Sequence, residues 1–82
     1  MNLLFFASLR EQLNTDSENW TTLDDISTTG ELLATLRDRG EPWKSVLANK
    51  QLLVSVNQEV SDWETSIKLG DEVALFPPVT GG

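Results

Sequence analysis

Glu72-Val73-Ala74-Leu75-Phe76-Pro77-Pro78-Val79-Thr80-Gly81-Gly82 holds two different objects in succession. Its first five residues read as a strand, with Val73 and Leu75 on one face and Ala74 and Phe76 on the other. Pro77 and Pro78 then end that strand, because they lack backbone N–H groups and their rings fix φ. Pro78 also holds Pro77 extended, and the β-branched Val79 and Thr80 favour extension too. Gly81 and Gly82 have no side chains, so they suit a channel that would reject any Cβ. The expected division is therefore a domain over 1–76 and an extended tail over 77–82, presenting the unhindered α-carboxylate of Gly82. A frayed chain end is the contrary reading. A proline pair abutting a hydrophobic strand argues against it.

The partner of that strand is sought in the most apolar run, Leu3-Leu4-Phe5-Phe6-Ala7. An unbroken run of this length reads as a strand covered on both faces, at least in part. Residues 8–14 break the pattern, and Thr15-Asp16-Ser17-Glu18-Asn19 reads as loop by composition. Trp20-Thr21-Thr22-Leu23, β-branched and aromatic, is expected to be a second strand in a hairpin with the first. Thr28-Thr29-Gly30-Glu31 is a capping-box pattern. Leu32, Leu33 and Leu36 follow at helical spacing, Arg37 and Arg39 suit the last turn, and Gly40 is the expected C-cap ahead of Pro42. A short helical turn is expected over 43–47. Residues 51–56 read as a third strand, Asn57-Gln58 as a tight turn and Glu59-Val60 as a short fourth strand. Leu69-Gly70-Asp71 reads as a turn in which Gly70 suits positive φ.

Composition limits what such a domain does. The chain has 82 residues, enough for one domain. A domain of this size buries about 60–65% of its unfolded surface, so the core is small. The formal charge of −7, from 13 acids and 6 bases, argues against nucleic acid and anionic membranes and favours a basic partner surface. With no cysteine and no histidine, the chain offers no thiolate, no imidazole base and no catalytic triad. No signal peptide or membrane span is apparent, and the expected compartment is the cytoplasm. The acid pairs Asp24-Asp25 and Asp71-Glu72 read as solvated loop and turn residues.

One helix over one mixed sheet of about five strands is the arrangement that buries Leu32, Leu33 and Leu36. With the first and last strands as the central pair, it is an α+β fold of the β-grasp, ubiquitin-like type. It leaves one sheet face uncovered. If Val73 and Leu75 meet the helix, Phe6 and Phe76 lie on the open face, joined by Val60 if the fourth strand packs alongside. That patch is expected to dock a partner; the alternative is that the rings close a second small core.

The chain resembles the small subunits of molybdopterin synthase, a family of ubiquitin-like sulfur carriers. The resemblance rests on Leu4-Phe5-Phe6-Ala7 with Arg10-Glu11, on Leu53 to Gln58, on Gly70-Asp71-Glu72-Val73 and above all on Phe76 to Gly82. It implies a cosubstrate, a non-catalytic sulfur-donor subunit of an enzyme complex. A partner adenylyltransferase of the ubiquitin-activating type would use ATP to convert the Gly82 carboxylate to an acyl-adenylate. A sulfur donor protein would displace AMP and leave a thiocarboxylate on Gly82. The tail Pro77-Pro78-Val79-Thr80-Gly81-Gly82 would then enter the large subunit and pass sulfur to a cyclic pyranopterin monophosphate, in a complex of two large and two small subunits. No cofactor or metal is expected on this chain. The alternatives are a sulfur carrier for thiamine or another metabolite, a ubiquitin-like protein modifier, and a binding module with an inert tail.

Overall fold

A computed structural model describes residues 1–78, so Val79 to Gly82, including the expected reactive Gly82, lie outside the described residues. Along the chain run β1 (Asn2–Phe5), α1 (Ser8–Leu13), β2 (Ser17–Asn19), α2 (Thr29–Arg37), α3 (Trp43–Val46), β3 (Leu53–Val56), β4 (Glu59–Ser61) and β5 (Glu72–Phe76). The strands form one five-stranded sheet in the order β2-β1-β5-β3-β4. β1 and β5 are parallel neighbours, with Leu3 opposite Val73 and Phe5 opposite Leu75. The other pairings are antiparallel. This is the β-grasp expected from the strand order, and the most apolar strand pair lies at its centre.

Alternation decides which side meets the helices. Leu3, Phe5, Val54, Val73 and Leu75 share one face and are each no more than 1% exposed. Leu32 and Leu36 of α2 pack into the same core. Each such side chain removed from water contributes about 1.5–3 kcal/mol. The start of α2 is fixed by the capping box: the Glu31 N–H donates to Thr28 Oγ1 at 3.2 Å, and the Thr28 N–H donates back to Glu31 Oε1 at 3.2 Å. Glu31 also accepts from the Ser27 N–H and hydroxyl. These bonds hold its carboxyl below the usual range, led by the Ser27 hydroxyl. Gly30 sits against the following loop, its N–H donating to the Trp63 carbonyl at 2.9 Å.

Four local expectations are corrected. Residues 8–13, expected only to break the strand pattern, are helix, because Leu9 and Leu13, one helical turn apart, are both buried. The second strand is Ser17–Asn19, not Trp20–Leu23. Its polar residues are recruited by the free edge of β1, while Trp20 and Leu23 pack partly against the core from the connection that follows. The C-cap of α2 is Asp38, with Gly40 two residues on in the left-handed region at φ 90. Gly70 is not in positive φ. The turn there is instead held by Asp71, whose N–H donates to the Lys68 carbonyl and whose carboxylate accepts from the Lys68 N–H. Asn57 and Gln58, both left-handed at φ 53 and 68, do form the tight β3–β4 turn.

Candidate docking face and tail exit

The candidate site lies where β5 ends. Val73 and Leu75 point into the core, so the intervening Ala74 and the terminal Phe76 face away from α2. Strand pairing assembles their neighbours. Leu53 stands opposite Phe76 on one side. On the other, the Phe6 N–H donates to the Leu75 carbonyl at 3.1 Å, which carries the β1–β5 ladder one step further and sets Phe6 beside Phe76. One step back along β5, Leu4, Ala74, Ser55 and Val60 form a transverse row, each opposite the next. The uncovered sheet face is thus apolar at the end from which the chain departs.

Exposure separates the three residues expected there. Val60 is 69% exposed and Phe6 46%. Phe76 is half-buried. Phe6 is therefore not enclosed in a second core. Ala74, expected on the side of Phe76, lies there opposite Leu4; Leu53 completes the face and was missed from sequence. Alternation in Leu53-Val54-Ser55-Val56 carried the signal for Leu53, because Val54 is the buried partner of Leu75. Leu69, also 46% exposed, sits in the turn before β5, at the far end of that strand. Pro77 and Pro78 follow Phe76 directly, half-buried and outside any strand. The tail thus starts from the middle strand of the sheet, next to Phe6 and Leu53.

The charged side chains do not converge at this exit. Glu18 makes a bidentate pair with Arg39 at 2.7 and 2.9 Å and accepts from Trp20 Nε1 at 3.0 Å. Its carboxyl is held below the usual range, first by the Arg39 hydrogen bonds and further by Trp20, against the opposing effect of burial. The Arg39 guanidinium lies 4.5 Å from the Trp43 ring centre and 5.8 Å from that of Trp20. This cluster ties β2 to the segment after α2, on the helix side of the sheet. The acid pairs behave as loop and turn residues. Asp24 takes a long 3.4 Å bond from the Thr22 hydroxyl, while Asp71 accepts from Asn57 Nδ2 at 3.1 Å. A groove of 390 Å³ lined by Ala34, Arg37, Asp38, Gly40 and Lys44 lies at the end of α2, on the opposite layer from the open face. Among the described residues no helix is long and apolar enough to cross a membrane.

The chain offers neither a thiolate nor an imidazole. A β-grasp domain with an open apolar face and a proline-led exit from its central strand defines a ubiquitin-like protein. The chain belongs to the ThiS family, whose model matches residues 3–82. It is 40% identical over 82 residues to the molybdopterin synthase sulfur carrier subunit of Haemophilus influenzae, covering 100% of this chain and 99% of that one. It is 33% identical over 95 residues to small archaeal modifier protein 3 of Haloferax volcanii, covering 100% and 98%. The solution structure of the Haloferax volcanii HVO 2177 protein superposes with a TM-score of 0.74 at 30% identity, over 99% of this chain and 84% of that one.

Proposed function

We propose that this protein is the sulfur carrier subunit of a molybdopterin synthase. The observation that carries the reading is the full-length identity with a sulfur carrier subunit, through a sequence that runs from the central strand into Pro-Pro-Val-Thr-Gly-Gly. The Gly82 carboxylate attacks the α-phosphorus of ATP held by a partner adenylyltransferase, giving an acyl-adenylate and releasing pyrophosphate. Sulfide released by a donor protein attacks the acyl carbon and displaces AMP, leaving a thiocarboxylate. The open face around Phe6, Val60 and Phe76 docks on the large subunit, and the tail delivers its sulfur to the cyclic pyranopterin monophosphate bound there. Gly81 and Gly82 admit the tail to both partners' active sites, because no Cβ obstructs the reacting carbon. These ATP-dependent steps belong in the cytoplasm.

The test is intact mass spectrometry after incubation with the adenylyltransferase, ATP and a sulfur source. The expected product has one oxygen replaced by sulfur, localised to Gly82 by fragmentation. An unchanged mass under conditions that charge a known carrier would overturn the proposal. A second reading, protein modification through an isopeptide from Gly82 to a lysine, draws only on the likeness to an archaeal modifier. It predicts heavier conjugates of this chain in cell lysate that disappear when Gly82 is deleted.

A further inference from the structure

We infer that Glu72 is a specificity-determining contact, which receives a lysine or arginine of the large subunit in a cleft at the end of the open face remote from the tail. The inference rests on the proposed docking of that face. Register isolates this one carboxylate. Residues paired across strands share a face. Glu18, opposite Leu3, and Glu59, opposite Val56 and through it Val73, therefore belong to the helix side. Glu72 stands opposite Asn2, on the side of Leu4 and Ala74. Among the described strand residues it is the one charged side chain on the open face. The face thus changes character along β5, from apolar at Phe76 and Leu53 to polar at Glu72 and Asn2. The two ends of β5 are about 13 Å apart.

The carboxylate is open to an incoming cation. Glu72 is half-buried, and among the described residues its side chain meets neither a cation nor a hydrogen-bond donor. The neighbouring Asp71 is already engaged: it is buried, Oδ1 accepts from Asn57 Nδ2 at 3.1 Å, and Oδ2 accepts from the Lys68 N–H at 3.0 Å. Asn57 also fixes the Glu72 backbone, accepting from its N–H at 3.0 Å and donating to its carbonyl at 2.7 Å. A cleft of 190 Å³ lies between them, lined by Asn57, Gln58 and Glu72. One water takes about 30 Å³, so the cleft has room for the head of a lysine or arginine. A partner that covers the open face strips water from Glu72, which is strongly unfavourable unless something replaces that water. With the Asn57 amide already bonded and the Asp71 charge close behind, a cation is the replacement that fits. Apolar contact around Phe6 and Phe76 is non-directional. A charge pair at the far end of β5 fixes how the domain is turned about its tail.

The test titrates the purified large subunit of the same synthase with the native full-length chain, Glu72→Gln, Glu72→Lys, Asp38→Asn and Phe6→Ala. Each Kd is measured across a salt series and corrected for the folded fraction from a thermal melt. Asp38→Asn is the control, because it removes the same charge at the C-cap of α2, on the opposite layer. Expected for Glu72→Gln are binding about tenfold weaker at low salt and a flatter salt dependence than that of the native chain. Glu72→Lys should bind at least about 100-fold more weakly, because it sets like charges together. Asp38→Asn should stay within about twofold of the native chain and keep its salt dependence. If Phe6→Ala weakens binding while Glu72→Gln and Glu72→Lys change nothing, the partner's footprint stops short of the cleft; the Glu72 contact is wrong and docking stands. Tighter binding by Glu72→Gln would show the carboxylate covered without a cation, and would equally overturn the contact. Weakening by Asp38→Asn as large as that by Glu72→Gln would assign the effect to net charge rather than to this cleft. If Phe6→Ala leaves affinity intact, the docking reading fails and the Glu72 contact fails with it.

Discussion

Replacing Phe6 with alanine separates docking from folding. Phe6 is 46% exposed. A phenylalanine carries about 200 Å² of accessible surface, so roughly 90 Å² of this one stands in water. At about 25 cal/mol per Å², a partner that covers it gains about 2 kcal/mol, or roughly 30-fold in Kd. The part already covered makes the truncation cost about 1–2 kcal/mol of folding stability as well. Val60→Ser is the companion variant. Val60 is 69% exposed on the short edge strand β4, so its loss should weaken docking with little change in stability. The assay is calorimetric titration against the large subunit at fixed ionic strength, with each Kd corrected for the folded fraction from a thermal melt. If Phe6→Ala lowers the melting temperature while the folded fraction binds within twofold of the native protein, Phe6 serves the fold alone and the open face is not the docking surface.

Three further outcomes follow from the same structure. Gly30→Ala should destabilise by about 1–3 kcal/mol, because its Cβ would lie 2.7 Å from the Trp63 carbonyl oxygen, which is backbone and cannot swing aside; chemical denaturation measures this. Glu18 has a folded-state pKa depressed chiefly by the Arg39 hydrogen bonds, so its contribution is present above the unfolded carboxylate pKa and is lost as pH falls through the folded value. Glu18→Gln should therefore lower the melting temperature at neutral pH, and the two proteins' curves should converge in acid. With 13 acids against 6 bases, association with a basic partner surface should slow as salt is added, a trend that stopped-flow mixing reads directly.

What the sequence disclosed depended on how far each element carries its own signal. The helix α2 was legible because its start is written in side chains: Thr28 and Glu31 cap each other, and Leu32 and Leu36 lie one turn apart. The strand β5 was legible because Val73 and Leu75 alternate with Ala74 until proline stops it. By contrast, α1 begins at Ala7, whose side chain makes no capping bond, and only Leu9 and Leu13 hint at its period. Ser17-Glu18-Asn19 has no apolar residue and becomes a strand only because Leu4, Leu3 and Asn2 offer an edge. That information is non-local. At the candidate docking face, Phe6, Ala74 and Phe76 could be chosen from alternation, but Leu53 needed the strand order, and Val60 depended on the fourth strand packing alongside.

The central claim is that sulfur leaves this protein from the end of its tail. Pro77 to Gly82 spans six residues, at most about 20 Å when extended, and each residue changes the reach by about 3.3 Å. A reacting atom misplaced by about 1 Å can cost on the order of 100-fold in rate. The most direct measurement is a single-turnover reaction in which thiocarboxylated protein is mixed with the large subunit and cyclic pyranopterin monophosphate. Loss of tail sulfur is followed by intact mass and molybdopterin by its fluorescent oxidation product, for the native chain and for a chain carrying one extra glycine after Gly82. The native chain should give up its sulfur as product appears, while the extended chain folds normally and makes none. Product from the extended chain at the native rate, with its extra residue intact, would contradict the account.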